Sequence, residues 1–205
     1  MRTVRVETRL SHVFAIEYAT ALSRPEGIDL SWPTDLCATM YPVDERDRVI
    51  ELKDVPQSSV GSPLPVVLSD EFKILLAYLE SSPEWDGTTD PDALTESLAL
   101  VEFESYRSYM FGAPNDEAFS GHPLAGRGLR PYGAFRIEDS SWVRQLERMN
   151  SVHPYHNPSR FEKLRHFVFA FHDSTFECVA ESFTISQHEG TLDSLLPMMR
   201  RRLRV

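Results

Sequence analysis

The stretch HFVFAFHDSTFECVAE, residues 166–181, constrains the fold more than any other stretch of the chain. Its apolar residues recur at every second position, which is the period of a β-strand. Between the two runs stands HDST, whose aspartate and serine suit a turn. A hairpin folded there pairs Phe171 with Phe176, Phe169 with Cys178 and Phe167 with Ala180, and these residues make one apolar face. The opposite face pairs Ala170 with Glu177, Val168 with Val179, and His166 with Glu181. A slip of one residue would mix the two faces, so the side of the sheet that each residue takes is strongly specified.

Most of the chemistry in this segment is then turn and core. Cys178 points inward as a packed thiol. Asp173 and Ser174 bond their own backbone at the turn. His166 opposite Glu181 is a cross-strand charge pair. His172 and Glu177, diagonal neighbours on the second face, remain as a candidate site. The letters HDS do not make a catalytic triad, because adjacent turn residues cannot reach the nucleophile–base–orienter geometry. The chain holds no G-x-S-x-G, no H-E-x-x-H and no phosphate-binding glycine motif.

Other elements follow from pattern. Strands are expected over 2–10, 47–56, 100–112 and 132–137. VVLSDEFKILLAYLE (66–80) fits a helix or a hairpin turned at SDEF, and the strand-like segments that follow favour the hairpin. Asp139 or Ser140 caps a helix to Asn150 that buries Trp142, Val143, Leu146 and Met149. Ser159 and Glu162 have the spacing of a capping box on one helical turn. A final helix starts at Ser194, with Pro197 in its first turn. The expected fold is α+β: an antiparallel sheet of about four to six strands, with two or three helices packed on one face. Residues 1–205 suit a single domain. The proline- and serine-rich run 56–65 marks a sub-boundary between an N-terminal segment, residues 1–55, and a motif-rich segment, residues 66–205.

Two loops carry the remaining polar candidates. PNDEAFSGHPLAGRGL (114–129) gathers Asp116, Glu117, His122 and Arg127 in a connection punctuated by glycine and proline. It reads as a binding loop or as an Ω-like loop whose side chains satisfy their own backbone. HPYH places His153 and His156 three residues apart, a spacing at which a divalent metal can be shared once a third ligand arrives. His122, His172 or Glu177 would supply it. No cofactor is required by the sequence.

Charge bounds the partners. The formal net charge of −10 repels phosphate backbones and anionic membranes, so nucleic acid and membrane are not expected partners. Residues 84–104 hold seven carboxylates and no basic residue, whereas four arginines fall in the last six positions. These two runs are expected to touch, within a chain or across a homodimer. The cysteines Cys37 and Cys178 have no paired spacing, which suits reduced thiols in the cytoplasm. MRTVRVETRL resembles neither a secretory signal nor an anchor. These features together suit a soluble cytoplasmic interaction protein, an immunity-type or accessory binding module without catalysis, whose partner is a protein and by charge a basic one. The alternative is a small metal-dependent or acid–base enzyme, built from loops 114–129 and 151–158 and the hairpin 166–183.

Overall fold

Two antiparallel sheets, not one, organise the chain. The structure is a computed structural model that describes residues 41–81 and 96–203, all within one unit, Ala38–Val205. The strand expected over 2–10 and nearly all of the acidic loop 81–93 lie outside the described residues. Strands β1 (Arg48–Glu51), β5 (Ser108–Gly112), β6 (Gly133–Glu138), β7 (Arg165–Ala170) and β8 (Thr175–Ala180) form a sheet in the order β1-β6-β7-β8-β5. Strands β2 (Val66–Ser69), β3 (Ile74–Leu79), β4 (Ser97–Glu104) and β9 (Ser182–Glu189) form the other, in the order β2-β3-β4-β9. The helices are α1 (Ser141–Asn150), α2 (Ser159–Glu162) and α3 (Leu192–Arg202).

The sheets meet face to face over an aromatic core. Phe167, Phe169, Phe171, Phe176 and Cys178 of the larger sheet and its turn pack on Ile74, Leu76, Tyr78, Val101 and Phe103 of the smaller. Alternate residues of β3 and β4, Leu75, Ala77, Leu98 and Leu100, face the other way and are covered by Leu195 and Met199 of α3. The outer face of the larger sheet packs Phe135, Ile137, Val168 and Val179 under Trp142 of α1 and under the loop residues Phe119, Leu124 and Leu129. The expectation that the helices share one face is therefore replaced: α1 packs with the five-stranded sheet and α3 with the four-stranded one. A single sheet with helices on one side would leave its other face wet. The aromatic alternation of β7 and β8 needs a second sheet to bury it.

The chain passes between the sheets three times, from β1 to β2, from β4 to β5 and from β8 to β9, and the last two crossings lie at the same place. The segment expected as one strand over 100–112 is β4 and β5, in different sheets. β4 pairs with β9 as far as Glu104 opposite Ser182, and β5 pairs with β8 from Ser108 opposite Val179. Residues 105–107 thus stand opposite 180–181, one residue more on one side than on the other. This is the geometry of a bulge, which bends a ribbon sharply. Ser105 absorbs the bend with φ 52°, in the left-handed region.

The hairpin at 166–181 keeps the expected faces but not the expected register. Phe169 pairs with Phe176 and Phe167 with Cys178, two residues from the expected match. The loop Phe171–Ser174 is closed by Phe171 N–H donating to Ser174 O at 2.8 Å. An offset of two leaves every side chain on its side of the sheet, so the pattern alone cannot see it. His166 accordingly lies opposite Val179, not Glu181.

The helix ends differ in detail. Ser140 caps α1, and its Oγ accepts from Val143 N–H. Pro158 precedes α2 without a side-chain cap, so the Ser159/Glu162 box does not form. Thr191, not Ser194, caps α3, with Ser194 completing the box from inside the helix and Pro197 one turn further in. The run 56–65 connects β1 to β2, and Ser58 bridges to Glu80 at the margin of the smaller sheet. Arg202 of α3 pairs with Glu102 of β4, a contact between the arginine tail and the acidic run.

Candidate functional site

The second face of the hairpin is where polar side chains enter the interior. Val168, Ala170 and Val179 make that face apolar, yet His166 and Glu177 stand among them, both buried. A charge survives there only when its hydrogen bonds are complete. Glu177 has three donors. Tyr41 OH donates to Oε2 at 2.6 Å. His166 Nε2 lies 2.8 Å from Oε2, and His122 Nε2 3.1 Å from Oε1. Leu124 N–H donates to His122 Nδ1 at 3.1 Å, so Nε2 carries the proton that His122 gives to Glu177. His166 Nδ1 lies 3.0 Å from the Oγ of Ser140.

Electrostatics follow from this geometry. Burial alone would raise the Glu177 pKa, but the hydrogen bonds from His122 and His166 outweigh it and hold the carboxyl at about 2. Burial, and then the Glu177 charge beside it, push the Tyr41 phenol far up. Burial also pushes the Cys178 thiol up, as expected of a packed cysteine.

Ser140, His166 and Glu177 form a hydroxyl–imidazole–carboxylate chain, which invites comparison with a hydrolytic triad. The side chains of His166 and Glu177 are 0% and 1% accessible, and the hydroxyl is engaged as a helix cap. Of the three, only Ser140 borders an open cleft, and the imidazole and the carboxylate offer a reacting atom essentially no accessible surface. The network instead fastens Tyr41, the loop around His122 and the start of α1 to the centre of the larger sheet.

A second cluster holds the other end of the same loop, at the surface. His172 Nδ1 lies 2.9 Å from Asp116 Oδ2, and Tyr132 OH donates to the same oxygen. Asp116 N–H donates to His172 O at 2.9 Å, and Thr175 Oγ1 donates to Pro114 O at 2.9 Å. The hydrogen bond from Tyr132, then that from His172, lowers the Asp116 pKa, while Tyr132 is pushed up to about 12 by the same contact.

The eight sequence candidates therefore do not converge. Glu177 and His122 meet in the interior, and Asp116 and His172 meet at the surface. Glu117 enters only through its N–H, which donates to Asp116 Oδ1. Arg127 donates to Asp47 O at 3.3 Å. His153 Nδ1 accepts from Tyr155 N–H, and His156 lies 3.0 Å from Asn150 Oδ1 and 3.9 Å from Glu147. Among the described residues, no three His, Cys, Asp or Glu side chains converge as metal ligands. Sequence reasoning missed Tyr41 and the true partner of His166. The signal was present: two polar residues on a face otherwise apolar require partners brought from elsewhere.

A cleft borders this network at Ser140. It measures about 710 Å³ and opens where β1 and β6 end beside α1 and α2. Five arginines line it: Arg46, Arg48, Arg136, Arg144 and Arg165. Glu138 is shared between Arg48 at 3.2 Å and Arg136 at 2.9 Å. Arg144 pairs with Asp44. Arg165 donates only to the carbonyls of Glu162 and Leu164, at 2.6 and 2.8 Å. The Arg136 Nε is buried without a hydrogen-bond partner among the described residues. No protein-family model matches the chain, and no curated protein or solved structure is similar to it.

Proposed function

We propose that the protein is a non-catalytic interaction module that docks a protein partner at the arginine-lined cleft. One juxtaposition carries the reading. The end of α1 and the segment joining it to α2 border the cleft through Glu147 and Pro158, and they present Met149, Val152 and Tyr155 at 65%, 88% and 83% exposure. Arginine, methionine and tyrosine are the residue types enriched in protein interfaces. Exposed apolar side chains in one short segment beside a polar cleft supply an anchor and a rim. His153 and His156 belong to this loop as its hydrogen-bonded frame, not as ligands. The burial of His166 and Glu177 adds support, since it puts the imidazole and the carboxylate out of a substrate's reach.

The partner presents carboxylates. Whole-chain charge favours a basic protein at long range, but contact is decided locally, and Arg165 has no carboxylate of its own among the described residues. Benzoylphenylalanine introduced at Val152 should cross-link one protein in the cell of origin. Arg165→Glu should abolish that cross-link while leaving thermal stability unchanged. The same probe at Val60, 54% exposed on the β1–β2 connection, should give none. Equal cross-linking at the two positions, or indifference to Arg165→Glu, would count against the proposal.

A further inference from the structure

The two sheets end in the edge strands β1, β5, β2 and β9, and an edge offers unpaired backbone N–H and C=O groups to a further strand. Charged residues guard two of them, Arg48 and Glu51 on β1 and Glu189 on β9. β2, VVLS, and β5, SYMFG, carry no charge. Of these two, β5 exposes large side chains, Tyr109 at 37% and Phe111 at 44%.

The phase of the hydrogen bonds fixes which groups of β5 are left over. Phe171 N–H donates to Ser174 O, so hydrogen-bonded pairs follow at every second position of the hairpin, Phe169 with Phe176 and Phe167 with Cys178. These β8 residues bond β7. Thr175, Glu177 and Val179 are left to bond Gly112, Met110 and Ser108 of β5. Tyr109 and Phe111 therefore turn their N–H and C=O groups to the open edge. Among the described residues, no strand meets them there.

This edge is complementary to itself. About a two-fold axis through Met110, an antiparallel second copy sets Tyr109 opposite Phe111 of that copy, and Phe111 opposite its Tyr109. Both pairs are of the hydrogen-bonded kind, so every outward N–H and C=O of the two residues is satisfied. Each pair also puts a tyrosine beside a phenylalanine on one face, a favourable cross-strand match. A shift of two residues would leave one aromatic pair in place of two.

We infer that β5 pairs antiparallel with β5 of a second copy of this chain, joining two five-stranded sheets into one of ten strands. The contact is small, so the association is reversible and depends on concentration. β1 lies at the other edge of the sheet, so each copy keeps the arginine cleft beside β1 and β6 open, and the dimer carries two of them. The pairing does not rest on what that cleft binds.

Sedimentation equilibrium of the full chain from micromolar to near-millimolar concentration tests it. The native chain should pass from monomer to dimer across that range. Phe111→Lys puts a charge on the edge twice per dimer and should weaken association by about tenfold. Tyr109→Lys with Phe111→Glu in one chain sets opposite charges across each pair and should regain part of the loss. Thermal melts show whether each variant folds. Met110→Cys in a Cys37→Ser background, treated with glutathione disulfide, should cross-link two copies, because position 110 meets itself on the axis. A native chain that stays monomeric throughout overturns the inference. So does a folded Phe111→Lys variant that dimerises as readily as the native chain, and so does failure of Met110→Cys to cross-link.

Discussion

Glu177→Gln should cost about 3 kcal/mol at neutral pH, and that cost should fade as the solution is acidified. Glutamine keeps the size of the side chain but offers one acceptor oxygen and an NH2 where two acceptor oxygens stood. Tyr41 and His166 both donate to Oε2, so the amide oxygen is best placed there. The NH2 then faces His122 Nε2. His122 cannot turn that nitrogen into an acceptor without orphaning Leu124 N–H. At least one hydrogen bond to a charged acceptor is lost, worth about 1.5–3 kcal/mol, and a buried donor is left unpaired. Proton linkage gives a similar figure. A fall in pKa from the ordinary 4.5 to about 2 corresponds to about 3 kcal/mol. The folded pKa is the depressed one, so this stability is fully present above pH 4.5 and is lost as pH falls toward 2. Urea melts of both proteins at several pH values would measure it. Tryptophan fluorescence suits the melts, because the Trp142 ring stacks on Tyr41 at a centroid distance of 5.5 Å and meets the His166 ring edge-on at 5.0 Å. A difference below about 1 kcal/mol at pH 7, or one that stays constant from about pH 5 to about pH 2.5, would mean that the network is not the fastening described here.

Three further outcomes are expected. Phe169→Ala should lower stability by about 3–5 kcal/mol in a urea melt, since Phe169 is buried between the sheets. Cys178, buried and with its thiol pKa pushed up, should react slowly with a thiol reagent in native protein and quickly in urea. Arg202→Ala removes the pair with Glu102, which Lys73 also approaches at 3.2 Å, so the melting temperature should drop slightly at low salt and the difference should vanish at high salt. The pair is partly exposed and worth at most about 1 kcal/mol.

Local pattern carried further in some places than in others. The hairpin faces at 166–181 were legible because alternation fixes parity, whereas the register was not, because an offset of two preserves parity. The turn at SDEF in 66–80 was legible only against a helical alternative. β3 is buried on both sides, so its sequence ILLAYL shows no alternation to decide between periods. The break between β4 and β5 had no signal, since Val101, Phe103, Tyr109 and Phe111 keep step across it. At the site, His122 and Glu177 meet across 55 positions and Tyr41 and Glu177 across 136. No spacing rule reaches that far. Of the histidine candidates, His122 joins Glu177 in the interior, whereas His153, His156 and His172 serve two different loops.

The bent ribbon at 105–107 and 180–181 makes the two sheets one cooperative object. β4 with β9 belongs to one sheet, β5 with β8 to the other, and each pair is the continuation of its neighbour along the same two strands. Opening the smaller sheet at β4 and β9 therefore frays the pairing that anchors the edge of the larger sheet. The corner also joins residues far apart in sequence, so it can close only after much of the chain has been gathered. Amide exchange should accordingly show β3, β4, β7 and β8 opening together, with one shared protection level, and not as two units that open sheet by sheet.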